Sequence, residues 1–316
     1  MAGLWRTLRA RLMTPDIVET TMSRRGFHVK DEPTRRRLES VGASFLTGFR
    51  AAVEAREDAD INRLDLIERQ FRGFAYEGAA MGYAILDGVS PGGDRTGRFL
   101  AGAGAPHIYM AYVGIGWAYA KLPSWRWRAV AAPDPLLRWL VLDGLGFHRA
   151  YFETDRFVRR QEVAPVAWPP DVPGDYSRRA IDQGIGRASW FVAGADPDVA
   201  ADLISRFDES RHGDLWSGMG LAATYAGGAD SDDLKKLYVH AAQYRPQLAQ
   251  GSAFAAQARL GAGLVTEHTP LATGIFCGCT PQEAAAITDV ERDTLGPDGP
   301  EPAYEVWRQR IQAHFA

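Results

Sequence analysis

Hydrophobic residues recur at intervals of three and four along most of the chain, the spacing that predicts amphipathic α-helices. Residues 34–55 and 62–86 are predicted as two such helices. Within this pattern an eleven-residue stretch occurs six times, with glycine at its position 3 and Gly or Ala at its position 5. The stretches begin at Tyr76, Tyr112, Leu142, Asp182, Trp216 and Ala249. Their position-3 glycines are 36, 30, 40, 34 and 33 residues apart, a range typical of stacked helical repeats.

The second half of the chain shows the repeat unit most clearly, because each glycine stretch precedes a helix with its own start signal. Asp196 with Pro197 and then Asp230 begin two of these helices, and Thr280 with Glu283 forms a capping box before a third. We therefore predict a mainly all-α protein of six helical repeats, each about 34 residues long, arranged as an α/α toroid or an α-solenoid. A minor β-strand is predicted near residues 271–278.

The repeats divide into two sets of three. A proline-rich linker, residues 162–176, separates repeats one to three (71–155) from repeats four to six (177–260), because proline lacks the amide hydrogen that a helix needs. Residues 1–60 are predicted as a basic, helical N-terminal segment, and residues 261–316 as a C-terminal cap. All these parts are expected to belong to one domain, residues 1–316.

The composition is that of an ordinary globular protein, with 46% hydrophobic and 24% charged residues. No apolar run reaches the roughly 18 residues of a membrane span and the start is no secretory signal, so a cytoplasmic location is expected. The net charge of -3 argues against nucleic-acid binding. Residues 1–38 differ, since nine basic residues stand against four acidic ones. They form either a helix packed on the protein or a site of peripheral contact with an anionic membrane or acidic partner.

A glycine inside a helix costs about 1 kcal/mol relative to alanine, so its recurrence needs a compensating cause. Positions 3 and 7 share one helical face, and position 7 is also Gly or Ala in five stretches. This stripe of small residues indicates close approach of another helix or of a bound ligand. The exception at position 7 is His148, the first candidate for a functional site. A histidine that is hydrogen-bonded in the core is the alternative.

Position 2 is polar in five stretches, and its carboxylates would be costly to bury alone. They are expected to pair with arginines such as Arg187 or to face a polar cavity. The candidate acid–base residues are therefore Glu77, Asp143, His148 and Asp182. Aromatic residues flank the stripe and suit an elongated apolar or polyunsaturated ligand. The candidate ligand-binding residues are Tyr76, Tyr83, Trp117, Phe147, Arg187, Trp190 and Trp216.

Other motifs point to no cofactor. The GxG pairs lie within helices and make no dinucleotide fingerprint, and Cys277 and Cys279 alone are too few for a structural metal site. Asp230, Asp232 and Asp233 form a DxDD string that resembles the proton-donating aspartates of class II terpene cyclases. The same acids before a helix could instead cap its amide groups.

Long strings of the sequence resemble one bacterial family. RRGFHVKD, RGFAYEGAAMG, DPLLRWLVLDGLGFHRAYF and DLWSGMGLAATYAGG occur in this order, and the resemblance covers residues 24 to about 312. The chain is similar to the domain-of-unknown-function proteins encoded among the conserved genes of enediyne antibiotic clusters. This resemblance implies a role in building or maturing an enediyne core from a linear polyene, and it assigns no catalytic residues.

The expected function is therefore binding, and possible transformation, of an apolar polyene-derived intermediate in a helical cavity. Such an enzyme would be a cofactor-independent cyclase or isomerase, and its partner a hydrophobic small molecule. One alternative is a tetratricopeptide-like scaffold that holds other enzymes of the pathway. The other alternative is a class II terpene or polyene cyclase that uses the DxDD acid.

Overall fold

The structure is a computed structural model, which describes residues 11, 13–56, 58–90, 92–164, 166, 168–169 and 176–316. Residues 1–10 and 12 of the basic N-terminal segment, and most of the proline-rich linker, therefore lie outside the described residues. The α-helices are α1 (Met22–Arg25), α2 (Glu32–Glu54), α3 (Arg69–Val89), α4 (Arg95–Ala101), α5 (Ile108–Tyr119), α6 (Trp139–Phe152), α7 (Tyr176–Val192), α8 (Pro197–Ser205), α9 (Glu209–Tyr225), α10 (Ser231–Ala241), α11 (Arg245–Gly261), α12 (His268–Phe276), α13 (Pro281–Asp293) and α14 (Ala303–Ala313). Short 3₁₀ helices are Ile17–Thr20, Asp58–Leu66, Ala105–His107, Ser124–Ala129 and Ala242–Tyr244, and Asp155–Arg159 is a π-helix. The described residues contain no strand, which confirms the all-α class.

The predicted helix starts of the second half are confirmed. The carboxylate of Asp196 accepts hydrogen bonds from the first amides of α8, and Asp230 does the same for α10. Thr280 and Glu283 form both hydrogen bonds of a capping box at the start of α13. These polar side chains satisfy amide groups that no carbonyl within the helix can reach.

Two predicted elements are corrected. The helix expected over residues 62–86 begins at Arg69, because Ile61 and Leu64 are buried three residues apart, the spacing of the 3₁₀ turn that precedes it. The strand predicted near residues 271–278 is wrong, because α12 occupies most of this segment. Its buried residues, Thr269, Ala272, Thr273 and Phe276, follow the helical spacing rather than the alternation of a strand.

The glycine stretches lie on α3, α5, α6, α7, α9 and α11, which together with α2 we call the repeat helices. Each repeat helix packs against the next one in chain order. Residues at the same position of the eleven-residue stretch contact each other in neighbouring repeat helices, so these helices run parallel and in register. The Ser217 hydroxyl donates to Gln250 Oε1 over 2.7 Å from position 2 to position 2, and the rings of Trp117 and Phe147, both at position 6, are 5.3 Å apart.

The recurring glycines are contact points between helix backbones. In every stretch, a Cβ on the position-3 glycine would overlap a backbone carbonyl of the preceding repeat helix: Gly78 that of Phe45, Gly114 that of Glu77, Gly144 that of Val113, Gly184 that of Asp143, Gly218 that of Gln183 and Gly251 that of Ser217. Position-5 glycines meet the following helix in the same way: Gly116 on Val141, Gly146 on Ile181, Gly186 on Leu215 and Gly220 on Leu248. The glycines therefore serve helix packing, and the close approach compensates for their low helix propensity.

The same contacts identify a further copy of the stretch in α2, at residues 44–54. Gly48 stands at its position 5 and abuts the carbonyl of Ala75 in α3. Its position 3 is Leu46 rather than glycine. Because no repeat helix precedes α2 among the described residues, a small residue is not needed there. The sequence pattern missed this copy for that reason.

The last repeat helices also touch the first ones. The guanidinium of Arg259 in α11 donates to the carbonyls of Tyr225, over 2.6 Å, and of Gln70 in α3, over 3.0 Å. Arg37 of α2 donates to the carbonyl of Ala226 over 2.7 Å, just after α9. The C-terminal ends of α9 and α11 therefore meet the N-terminal parts of α2 and α3.

Helices outside the repeat set cover the outer surface and one end. In the second half, α8, α10 and α12 contact one another in order. The C-terminal helix α14 contacts position-2 residues, since Tyr304 donates to Gln183 and Arg308 to Gln250, both over 3.3 Å. Arg308 is fully buried and binds Asp214 at 2.7 Å. None of the helices in the described ranges combines the length and apolar character that crossing a bilayer requires.

Candidate functional site

A cavity of about 300 Å³ is enclosed by α2, α3, α5, α6, α7 and α9. Many of the side chains that line it come from positions 2, 6 and 10 of the stretches, and His148 at position 7 and Phe152 at position 11 line it as well. Position 6 contributes Met81, Trp117, Phe147, Arg187 and Leu221. Position 10 contributes Lys121, Tyr151, Phe191 and Tyr225, and position 2 contributes Glu77. Residues four apart share one face of a helix, so each helix presents one such row to the cavity.

The depth of the cavity follows from this register. Positions 2 and 10 are eight residues apart, which corresponds to about 12 Å along a helix. The position-2 level lies toward α14, where a smaller cavity of about 30 Å³ continues past Arg187 to Trp307. The position-10 level lies toward solvent, since Lys121 at this level is exposed and the half-exposed Glu19 lines the cavity beside it, and we call this side the mouth. The site is thus a narrow pocket with one polar end.

The walls of the cavity are mainly aromatic. The Phe45 and Trp117 rings are 4.3 Å apart, and Trp117 lies 5.3 Å from Phe147. Phe147 in turn contacts Phe191 at 5.4 Å and Tyr151 at 5.7 Å. Aromatic faces of this kind bind apolar and conjugated molecules through area burial and stacking.

His148 lines the cavity and has no partner in the described protein. Both ring nitrogens are buried and without a hydrogen bond. The ring packs against Trp117 at 5.5 Å and Phe152 at 4.7 Å. Burial in these surroundings, with Lys121 and Arg149 nearby, lowers its pKa to about 3, so the imidazole is neutral. The alternative of a histidine hydrogen-bonded in the core does not hold, and a ligand atom could satisfy this ring.

Glu77, Arg187 and Asp143 form the charged end of the cavity. Arg187 donates to the Asp143 carboxylate, and its guanidinium lies 5.1 Å above the Phe147 ring. Glu77 is 3% exposed, and burial raises its pKa to about 8 although Arg187 opposes the shift. At neutral pH Glu77 is therefore a protonated carboxylic acid beside an ion pair. Asp143 Oδ2 has no hydrogen-bond partner.

Five other predicted site residues lie outside the cavity. Asp182 pairs with Arg211, with 2.5 and 3.0 Å between the nitrogen and oxygen atoms. The Tyr76 hydroxyl donates to Asp65 over 2.9 Å, and Trp190 Nε1 donates to the carbonyl of Gly227 over the same distance. Tyr83 packs on Phe99 with centroids 5.2 Å apart, and Trp216 is 4% exposed in the core. These residues occupy positions 1, 8 and 9, which point away from the row formed by positions 2, 6 and 10.

The residues predicted from the sequence form part of the cavity. Glu77, Trp117, Phe147, His148 and Arg187 line it, and Asp143 is bound to Arg187. The missed aromatic residues are Phe45, Phe49, Phe74, Tyr151, Phe152, Phe191 and Tyr225. The repeated signal that could have found several of them is the large side chain at position 6 followed by another at position 10.

The DxDD acids lie on the outer surface. Asp230 caps α10, and the amides of Asp232 and Asp233 lower the pKa of its carboxyl. The Asp232 side chain is 84% exposed beside Lys235, and Asp233 binds Lys30 at 2.6 Å. A proton donor needs a raised pKa and contact with the substrate, so the helix-cap interpretation is confirmed.

Comparison with known proteins gives one match. A family model described as Protein of unknown function (DUF1702) matches residues 4–315. Neither a curated protein nor a solved structure is found to be similar.

Proposed function

The chain belongs to the family described as Protein of unknown function (DUF1702), and we propose that it binds an apolar, polyene-derived intermediate of natural-product biosynthesis. The enediyne type follows from the resemblance of the sequence strings. The observation that carries the proposal is the aromatic cavity of about 300 Å³, a volume within the range of small-molecule sites. Its depth of about 12 Å suits a chain of roughly ten carbon atoms in extended form.

The proposal includes a closed arrangement of the repeat helices around this cavity, as in an α/α toroid. The parallel register supports it, because each helix then presents the same row inward. The contacts of Arg259 with Gln70 and of Arg37 with Ala226 support closure between the last and first helices. In this arrangement α14 covers one end, and the ligand enters at the other.

Glu77 is the proposed acid of a cofactor-independent isomerisation or cyclisation. Its carboxylic acid donates a proton to one carbon of a conjugated alkene, and the pair of π electrons forms the new C–H bond. The aromatic walls stabilise the resulting cation. Loss of a proton from another carbon to the Glu77 carboxylate restores the acid and leaves an isomer, without net oxidation or reduction. Arg187 stabilises the carboxylate in the interval.

Native mass spectrometry of the purified protein tests binding directly. We expect an adduct whose mass and absorbance belong to a conjugated apolar molecule. Parinaric acid, an eighteen-carbon acid whose conjugated tetraene lies within the ten carbons at its methyl end and fluoresces in apolar surroundings, serves as a defined probe. Its tetraene end fits the depth of the cavity, and the carboxylate end extends through the mouth. The variant Leu221→Trp should fill the cavity and abolish probe binding, whereas Leu271→Trp on α12, where Leu271 is 37% exposed, should bind as the wild type does.

Absence of both an adduct and probe binding in folded protein would contradict the cavity proposal and favour the scaffold alternative. The chemical step has a separate test. Glu77→Gln should bind the co-purified guest with unchanged affinity, and it should lose deuterium uptake into that guest from heavy water. Uptake that continues in this variant would exclude Glu77 as the acid while leaving binding intact.

A further inference from the structure

Two segments stand side by side at the mouth of the cavity. The ammonium group of Lys121 and the guanidinium of Arg25 both lie over the Phe152 ring, 5.6 and 5.2 Å from its centroid. Lys121 begins the loop that follows α5, and Arg25 ends α1. Lys121 and Glu19 both line the opening. The loop and the N-terminal turns therefore share one surface.

Large apolar side chains are exposed on these segments. Trp125 in the loop is 72% exposed, and Ile17 and Val18 in the 3₁₀ helix before α1 are 51% and 50% exposed. Val89 at the end of α3 is 53% exposed, and its carbonyl accepts a hydrogen bond from Arg126 over 3.4 Å. Tryptophan and aliphatic side chains that project from loops favour the interfacial layer of a bilayer.

The loop that carries Trp125 has charge of one sign, whereas Asp16 and Glu19 flank Ile17 and Val18. Residues 121–133 contain Lys121, Arg126 and Arg128 and no acidic residue. Arg24 and Arg25 extend the basic surface, and both bind Glu19, the acid at the rim. A basic surface with exposed tryptophan complements anionic lipid headgroups over an apolar layer.

We propose that the face around the cavity mouth docks on a bilayer that contains anionic lipid. Trp125, Ile17 and Val18 insert among the headgroups, and Lys121, Arg126 and Arg128 bind their phosphates. This docking goes beyond the proposed ligand binding and does not depend on it. If both hold, an apolar ligand passes from the bilayer into the cavity without crossing water.

Cosedimentation of the full chain with vesicles tests the docking. We expect binding to vesicles of phosphatidylcholine and phosphatidylglycerol in equal parts, and little binding to phosphatidylcholine alone. The variant with Lys121→Gln, Arg126→Gln and Arg128→Gln should bind about a hundredfold more weakly, since each basic residue near an anionic surface contributes about a factor of five. A matched control removes three positive charges from the outer helices, with Arg206→Gln, Lys235→Gln and Lys236→Gln, and should bind within about threefold of the wild type.

The variant Trp125→Ala separates insertion from charge. This variant should bind vesicles at least about tenfold more weakly, and the loss should be the same at low and high salt concentration. Equal loss in the control triple variant would show general electrostatic adsorption and overturn the proposal. Loss only on changing Arg6, Arg9 and Arg11 to Gln would assign binding to the N-terminal segment and overturn it as well. Absence of vesicle binding by the wild type would also overturn it.

Discussion

Two glycines of the same helix should respond to alanine in opposite directions. Gly213 and Gly218 both lie in α9. A Cβ on Gly213 would meet only Gln247 Cγ, at 3.8 Å, an ordinary van der Waals contact. A Cβ on Gly218 would overlap the carbonyl oxygen of Gln183 and approach the amide nitrogen of Arg187 to 2.8 Å. Backbone atoms cannot rotate away, so α9 would have to move from α7.

The expected change in the free energy of unfolding is the sum of two opposing effects. Alanine gains about 1 kcal/mol of helix propensity over glycine at either site. At Gly218 the forced separation of two packed helices costs about 3 kcal/mol, the upper part of the range for overpacking. Gly213→Ala should therefore stabilise the protein by about 1 kcal/mol, and Gly218→Ala should destabilise it by about 2 kcal/mol. The gap of about 3 kcal/mol corresponds to about 4 to 5 °C in Tm for a chain of 316 residues.

Thermal and urea unfolding followed by far-ultraviolet circular dichroism measure this gap. Gly220→Ala, whose Cβ would overlap the carbonyl of Leu248 in α11, should repeat the result of Gly218→Ala. If Gly218→Ala were as stable as Gly213→Ala, the backbone contacts between repeat helices would not exist as described. The interpretation of the glycine stretches would then be wrong.

Three further outcomes follow from the site and the caps. Burial raises the Glu77 pKa from 4.5 to about 8, so the folded state holds a proton that the unfolded state releases, and stability should fall as pH rises between these values. The denaturation midpoint of Glu77→Gln should not show this fall as pH rises. If the midpoint of the variant fell as that of the wild type does, Glu77 would not be the buried acid. The His148 pKa is lowered from 6.5 to about 3, so its contribution to stability should fall as pH decreases through this range, and His148→Leu should unfold at a lower pH than the wild type. Removal of the α10 cap in Asp230→Ala should cost about 1 kcal/mol in urea unfolding and leave parinaric acid binding unchanged, whereas lost binding would revive the DxDD hypothesis.

Local signals in the sequence predicted the local structure well. Asp196, Asp230 and Thr280 begin helices because side-chain oxygens bind amide groups a few residues away, an interaction that needs no tertiary context. The strand prediction for residues 271–278 was wrong because no local signal of this kind is present there. Its apolar run has no periodicity that excludes a strand, and only burial against neighbouring helices decides the matter.

The candidate site was predicted in part, because the glycine pattern marks contacts between helices and only indirectly the inward face. His148 was found as an exception to that pattern, and Glu77 and Arg187 as charges beside it. Tyr76 and Trp216 were included on aromatic character, although position 1 points outward. Phe45 and Phe49 were missed because α2 lacks the position-3 glycine that identifies the other copies.

The contacts between the two ends of the repeat set bear on how the protein is made. Arg259 and Gln70 are 189 residues apart in the chain, and Arg37 and Ala226 are also 189 apart. Contacts of such long range form late, because a large loop must first be closed. During synthesis the early helices leave the ribosome with their aromatic inner row still open to solvent. The nascent chain therefore cannot enclose a guest until α9 has emerged, and chaperones have their longest opportunity to bind during that interval.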